Sequence, residues 1–509
     1  MTTTLDRRAA LVLLASGALA PGLASAAAPF SFDQVKARAR ALAAKPYAAP
    51  PAPPPEVQAM DYDAAQGVGF YREKIPLWGG DWGIELFPLS RGVSKTVAIN
   101  LVENGRARPL AYDPAMFSSR EDSPFRKLPA NAGFAGFRAM SRDDRGEWLV
   151  FHGASYFRSP APFGQYGLSA RAVAADTYAV KPEEFPDWRE VWLEKDAQGR
   201  LVIHALMESL GIVGAYRFVN ERNGLALTQT VEASLHFRRA FDQMGLAPLT
   251  SMFWFGEDRG GPDWRPEIHD SDGLAIWTGA GERIWRPLSN PTRVVTSTFS
   301  DENPKGFGLI QRDRDVEHYH DDQARSERRP SAWVEPIGKW GRGTVRLVEI
   351  PTDNETNDNI VAFWTPETPV KARSRINLAY RLHWTGDVPA PTDLARVVAT
   401  RTGRPGEPGK DGEAQGRKIA VEFRGENLLA LRAAIDIQAD VTARGGQIRL
   451  LSHYPADRRE AETDALWRVV FDVAPDGAEP ADVRVVLRQN GRALSETWTA
   501  LVFPAPAGN

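Results

Sequence analysis

Cysteine is absent from the 509 residues, which excludes disulfides and thiolate metal sites. Histidine is scarce, at eight. Neither sign of charge dominates: 62 Lys and Arg face 65 Asp and Glu, a net −3, so the electrostatic footprint of a nucleic-acid binder is missing. No nucleophile elbow of the G-x-S-x-G kind, no phosphate-binding Walker loop and no H-E-x-x-H zinc motif occurs. Long apolar runs are missing as well. The uncharged stretch from Ala9 to Ala20 is too short to span a bilayer.

That stretch has a different use. Arg7 and Arg8 precede it, and Ala24-Ser25-Ala26 follows as an A-x-A cleavage site. Residues 1–26 therefore read as an export signal, with the adjacent arginines pointing to the twin-arginine route. The expected location is the periplasm, and the mature chain should not cross the membrane. Its loss takes Asp6, Arg7 and Arg8, so the mature chain is one unit more negative than the whole.

Hydrophobic residues make up 43% and charged residues 25%, the composition of a globular protein long enough for two cores. Ser31 is placed to cap a helix over Phe32, Val35, Ala39 and Leu42, and Pro46 ends it. Beyond the proline-rich strap at 50–55, the helical period is scarce. Alternating segments take over: 215–219 and 225–237 joined through Asn223-Gly224, then 344–350 and 359–364. The pattern predicts an all-β protein, with a large antiparallel β-sandwich over residues 29–388. Residues 389–416, rich in Gly, Pro and charge, read as a linker. Residues 417–507 alternate again and turn at Asn490-Gly491, predicting a small immunoglobulin-like sandwich with no acid or histidine cluster of its own.

Two polar segments run into apolar strands. One is Glu267-Ile-His-Asp-Ser-Asp-Gly273; the other is Asp353-Asn-Glu-Thr-Asn-Asp-Asn359. Paired carboxyls at strand mouths suit glycoside cleavage, where one protonates the leaving oxygen and the other activates water or attacks. Asp and Asn at such places also serve as turn residues bonded to local amides, and spacing alone favours that role. His318-x-His320 beside Asp321 and Asp322 imitates a metal site but has no third spaced ligand, so no metal is expected. The 15 Trp, 11 Tyr and 23 Phe suit either sugar clefts or large β-cores.

The motifs change those odds. Gly133-Phe-Ala-Gly-Phe-Arg138, Gly153-Ala-Ser-Tyr-Phe-Arg158, Pro248-Leu-Thr-Ser-Met-Phe-Trp-Phe-Gly256, Arg265-Pro-Glu-Ile-His-Asp-Ser-Asp-Gly273 and Arg329-Pro-Ser-Ala-Trp-Val-Glu-Pro336 occur in that order. Leu347-Val-Glu-Ile-Pro351 and Asp358-Asn-Ile-Val-Ala-Phe-Trp364 follow. Together they resemble the osmoregulated periplasmic glucan biosynthesis family (OpgG/OpgD, or MdoG/MdoD) across nearly the whole mature chain, and the twin arginines favour the D type. The resemblance implies a protein acting on β-1,2-glucan, as an inverting endo-β-1,2-glucanase or a transglycosylase. The alternative is a non-catalytic glucan-binding assembly factor. The resemblance implies Asp358 as general acid and Asp270 as general base, with Asp272 in reserve and Glu355 near enough to assist Asp358, orient water or raise the Asp358 pKa. Tyr156, Trp254, Trp333 and Trp340 become candidate sugar platforms. Arg158 and Arg329 become hydroxyl donors, and His269 a group that keeps Asp270 ionised. The implied partners are the glucan and the inner-membrane machinery that makes it, with no cofactor. One position departs from the family: Ser326 stands where its members carry a tyrosine, and Tyr319 is the candidate substitute.

Overall fold

Alternation at period two sets the architecture. In strand Ala226–Phe237, Leu227, Gln229, Val231, Leu235 and Phe237 point inward and are buried, while Thr228, Thr230, Glu232 and His236 point outward. Its partner Ile212–Asn223 pairs in register from Ile212↔Phe237 to Asn223↔Ala226. The turn therefore sits on Gly224-Leu225, one residue beyond the expected Asn223-Gly224, with Gly224 at φ +60°. Asn490-Gly491 does form the expected tight turn, with φ +49° and +79° and Gln489 paired to Arg492.

The computed structural model describes residues 29–504 apart from 144–145, 259, 408, 410–415, 432–435 and 457–462. The proposed export signal, 1–26, lies outside the described residues. Two large sheets form the main sandwich. One runs in the order Trp82–Pro88, Phe134–Ser141, Glu147–His152, Tyr156–Arg158, Ser169–Arg171, Met244–Ser251, Ile360–Pro366, Arg342–Glu349, Val295–Glu302. The other includes Asp187–Lys195, Leu201–Glu208, Ile212–Asn223, Ala226–Phe237, Arg375–Thr385, Ser331–Ile337, Gly306–Ile310, Gly273–Trp277 and Arg283–Pro287. Their inner faces meet through aromatics, with Phe151 of the first 5.1 Å edge-on from Phe218 of the second. Helix Phe32–Ala43 forms where expected, though the Ser31 side chain makes no capping bond, and it lays Val35 and Ala39 on the outside of the second sheet, against Trp192 and Val213. Among the described residues, no helix is long and apolar enough to cross a membrane.

The small sandwich grows out of that second sheet. Arg283–Pro287 pairs in parallel with Thr497–Val502, through Ile284↔Thr497 and Trp285↔Trp498. Ala481–Gln489 and Ile437–Arg444 continue the same sheet, and a four-stranded sheet covers it: Arg396–Gly403, Arg417–Gly425, Ala465–Pro475, Gly446–Pro455. Residues 389–416, read as a linker, are thus not all connection. Arg396–Gly403 is a strand with Val397 buried, because its apolar alternation continues the small core.

A buried charge pair ties the two main sheets together. Glu349, fully buried, accepts from Arg286 Nη2 at 2.8 Å and from the Ser289 amide and hydroxyl at 2.7 and 2.9 Å. Removing one partner strands the other charge in low dielectric, at a cost of roughly 3–5 kcal/mol. Glu349→Ala should lower unfolding stability by about that amount in denaturant titrations. A loss under about 1 kcal/mol, typical of exposed pairs, would contradict this role.

Candidate functional site

Both expected carboxylates hang from one short stretch of chain. After strand Met244–Ser251, the backbone continues through Met252 into Phe253–Phe255. On one side, the Asn359 amide donates to the Ser251 carbonyl at 3.1 Å. The Asn359 side chain accepts from the Phe253 amide at 2.8 Å and donates to the Phe253 and Ile350 carbonyls at 2.9 and 2.8 Å. Asp358 precedes this clamped residue, and the Thr250 hydroxyl hydrogen-bonds its carboxylate. On the other side, the Asp270 amide donates to the Met252 carbonyl at 2.8 Å, Phe253 pairs with His269, and the hydroxyls of Ser251 and Ser271 meet at 2.9 Å.

The two carboxyls feel each other. Asp358 opens to solvent, yet the protein crowding its cleft desolvates the charged form, and the negative charge of Asp270 adds to that, lifting its pKa to about 6. Arg171 and Arg158 oppose the rise. Burial also lifts Asp270, opposed by Arg329, whose guanidinium touches the carboxylate, then by His269 and Arg158. Arg329 also donates to the His269 carbonyl at 2.9 Å. Its close approach depends on Gly167, where an added Cβ would stand 3.0 Å from the Arg329 Cβ. Tyr156 joins the group: the Arg171 guanidinium lies 5.5 Å over its ring, and its hydroxyl senses Asp358. Arg158 lies 4.7 Å over Tyr166. A proton-holding carboxyl, a second carboxylate and several cations facing them form a constellation able to carry acid–base work on a polyhydroxylated ligand.

Other expectations need correction. Glu355 does not assist Asp358; Arg265 holds it with two bonds of 2.9 and 3.1 Å while also binding Asp263 and Asp321. The carboxylate that raises Asp358 is Asp270, and Glu355 acts instead on Asp270. Asp272 is a strut: it accepts the backbone amides of Arg312 and of Asp313, the latter at 2.7 Å. Trp333 is 2% exposed, buried against Gly306 in the core shared with the small sandwich, so no ring face is left for sugar. Trp340 lines a separate outer groove with His236 and Arg375, and its indole N–H is held by the Ala379 carbonyl at 3.2 Å. Tyr319 is fully buried, its hydroxyl bonded to Gln311 and the Asp313 carbonyl, so it does not replace the missing tyrosine. Ser326 is itself buried, at the start of the turn Ser326–Arg328. Trp254 is half-buried against Phe255. His269 is buried, stacked on Phe253, with Nε2 2.9 Å from Glu267. His318 sits in a 3-10 turn, within 4.8 Å of Glu267 and Asp313 but without His320; those acids already bond His269 and His318.

Arg171, Thr250, Arg265 and Asn359 carry the site without having been singled out. Arg171 had a signal: it is the only charge between Tyr166 and Ala175, and a charge inside a buried run must find partners. It finds Glu183 at 2.9 Å.

The raised Asp358 carries a pH signature. Its folded pKa of about 6 stands above the ordinary 3.8, so folding tightens its proton. The resulting stabilisation is full below the unfolded value and is lost as pH rises through about 6. Relative to Asp358→Asn, the parent protein should therefore lose stability between about pH 4 and 7. A stability difference that stays flat over that range would refute the assignment.

Known proteins of one family are similar to this chain over nearly its whole length. The model of the family described as "Periplasmic glucan biosynthesis protein, MdoG" matches residues 30–502. Glucans biosynthesis protein D 2 of Ralstonia nicotianae is 44% identical, aligned over 95% of this chain and 93% of its own. Glucans biosynthesis protein D of Stenotrophomonas maltophilia is 43% identical over 94% and 91%, and a probable protein D of Shewanella oneidensis is 42% identical over 97% and 93%. A match of this length and identity leaves one conclusion: the chain belongs to the MdoG family of periplasmic glucan biosynthesis proteins, as a D-type member.

Proposed function

We propose that the protein works in the periplasm in glucan biosynthesis, acting on β-1,2-linked glucan as an endo-acting glycoside hydrolase or a transglycosylase. The family and the names of the relatives support the glucan role. The observation that carries the enzymatic reading is the pair of carboxyls on two loops bonded to one segment, Thr250–Phe253, with Asp358 shifted to about 6.

In this reading Asp358 is the general acid. Near neutrality, a carboxyl with a pKa of about 6 still holds a useful fraction of its proton and releases it more readily than water can. Asp270, beside Arg329, is the base that takes a proton from the attacking water or sugar hydroxyl. Burial works against its ionised form, and the Arg329 contact offsets that. Tyr156 and Arg158 supply donors for sugar hydroxyls around the acid, while the buried Arg171, paired with Glu183, contributes its charge. Arg265, through Glu355, anchors the loop that presents Asp358.

The test is incubation with linear β-1,2-glucan, followed by product mass and anomeric configuration. Shorter chains of inverted configuration support hydrolysis; rearranged or cyclic products support transfer. Asp358→Asn should lower turnover by about 10²–10⁴-fold while glucan affinity persists. An unaltered glucan that nevertheless binds would reject the enzymatic reading in favour of an assembly factor.

A further inference from the structure

Among the described residues the small sandwich carries no acid–base constellation, yet it reaches the back of the Glu267–Asp272 segment at two places. The first is Arg312. Its guanidinium makes a bidentate pair with Glu496 of the small sandwich, at 2.8 and 2.9 Å, and donates to the Val397 carbonyl at 2.9 Å. Glu496 in turn accepts from the Val397 amide at 3.1 Å. Both side chains are buried, and the guanidinium lies 3.6 Å over the Trp285 ring. The backbone amide of the same Arg312 donates to the Asp272 carboxylate, two residues from Asp270. The second place is the loop after Phe253–Phe255. There Glu257 accepts the Thr400 amide, and the Thr402 hydroxyl donates to the Asp258 carbonyl at 2.6 Å. Phe253–Phe255 is the strand paired with Ile268–His269.

We propose that the small sandwich positions the carboxylate segment, with Glu496 as a positioning residue that acts through Arg312 on Asp272. A buried bidentate pair fixes the guanidinium in one orientation, and with it the residue whose amide holds Asp272. Asp272 also donates its own amide to the Ile310 carbonyl at 3.0 Å and stands 3.5 Å from the His269 imidazole. Displacing Arg312 therefore moves Asp272, His269 and the Asp270 backbone together. Between the sandwiches lies a cavity of about 140 Å³, lined by Glu257, Glu267, His269, Asp272 and Arg312. That space lets the segment shift once a brace is cut. The positional effect on turnover rests on the carboxylate reading above; the effect on the segment does not.

Glu496→Gln keeps the size of the side chain and removes the charge. In the full chain it should displace the His269 imidazole resonance while leaving that of His236, on the outer face of the main sandwich, unmoved. On β-1,2-glucan, kcat should fall about 10–100-fold with affinity nearly unchanged, as expected of a reacting group held slightly out of place. Because both act on one strut, Glu496→Gln and Asp272→Asn should lose no more together than the worse one alone. An unmoved His269 resonance, or losses that simply add, would overturn the proposal. If Glu496→Gln does not fold, Thr402→Val removes the side-chain bond of the second brace and should move the same resonance; no movement there overturns it equally. A parent protein inactive on glucan would instead defeat the enzymatic reading, since the His269 measurement needs no turnover.

Discussion

The segment Thr250–Phe253 is the constraint on which the site depends. Four consecutive residues hold the Asp358 side with a hydroxyl, a carbonyl and both main-chain groups of Phe253, and the Asp270 side with the Met252 carbonyl. Two loops 88 residues apart in sequence thus share one rigid reference. Main-chain bonds inside a buried sheet edge are among the least adjustable contacts in a protein, since a lost partner leaves an unsatisfied dipole away from water. The separation of the carboxyls is therefore set by backbone, and side-chain packing only refines it.

Electrostatics then divides the labour. Desolvation pushes both carboxyls toward the neutral form, and their mutual repulsion prevents both from ionising easily. Arg329 touches Asp270, whereas Arg171 and Arg158 act on Asp358 from further off. In the proposed acid–base reading the proton sits on Asp358, with Asp270 held by Arg329. The surrounding cations also have other duties: Arg171 is tied to Glu183, and Arg265 gathers Asp263, Asp321 and Glu355 into one knot that pins the 353–359 loop. The site is polar throughout, and the bulky tryptophans lie mainly in the cores.

Much of this was legible in sequence and some of it was not, for physical reasons. Alternation exposed the strands, and Asn-Gly and Gly-rich turns marked their ends, so the all-β architecture and the helix at Phe32–Ala43 follow directly. The two polar segments were legible as loops at sheet ends, where spacing alone favours turn residues; Asp270 and Asp358 stand out only through the family resemblance. The roles of Glu355, Asp272, Trp333, Trp340 and Tyr319 were not legible. Four depend on a partner distant in sequence: Arg265 for Glu355, the Arg312 amide for Asp272, Gly306 for Trp333, Ala379 for Trp340; Tyr319 turns inward onto Gln311 and Asp313 of its own loop. An aromatic residue gives no sign in sequence of which face it will turn. The strand inside 389–416 was hidden for another reason, since its alternation is short and flanked by Gly, Pro and charge.

The account stands on one coupling, between Asp270 and Asp358, and the direct measurement is the titration of Asp358 itself. Carbon-detected NMR of the labelled side-chain carboxyl, in the parent protein and in Asp270→Asn, reads it without substrate. The account predicts a pKa near 6 in the parent and a clearly lower one once the charge of Asp270 is gone. An Asp358 that titrates at its ordinary value, or one indifferent to the loss of Asp270, would contradict it.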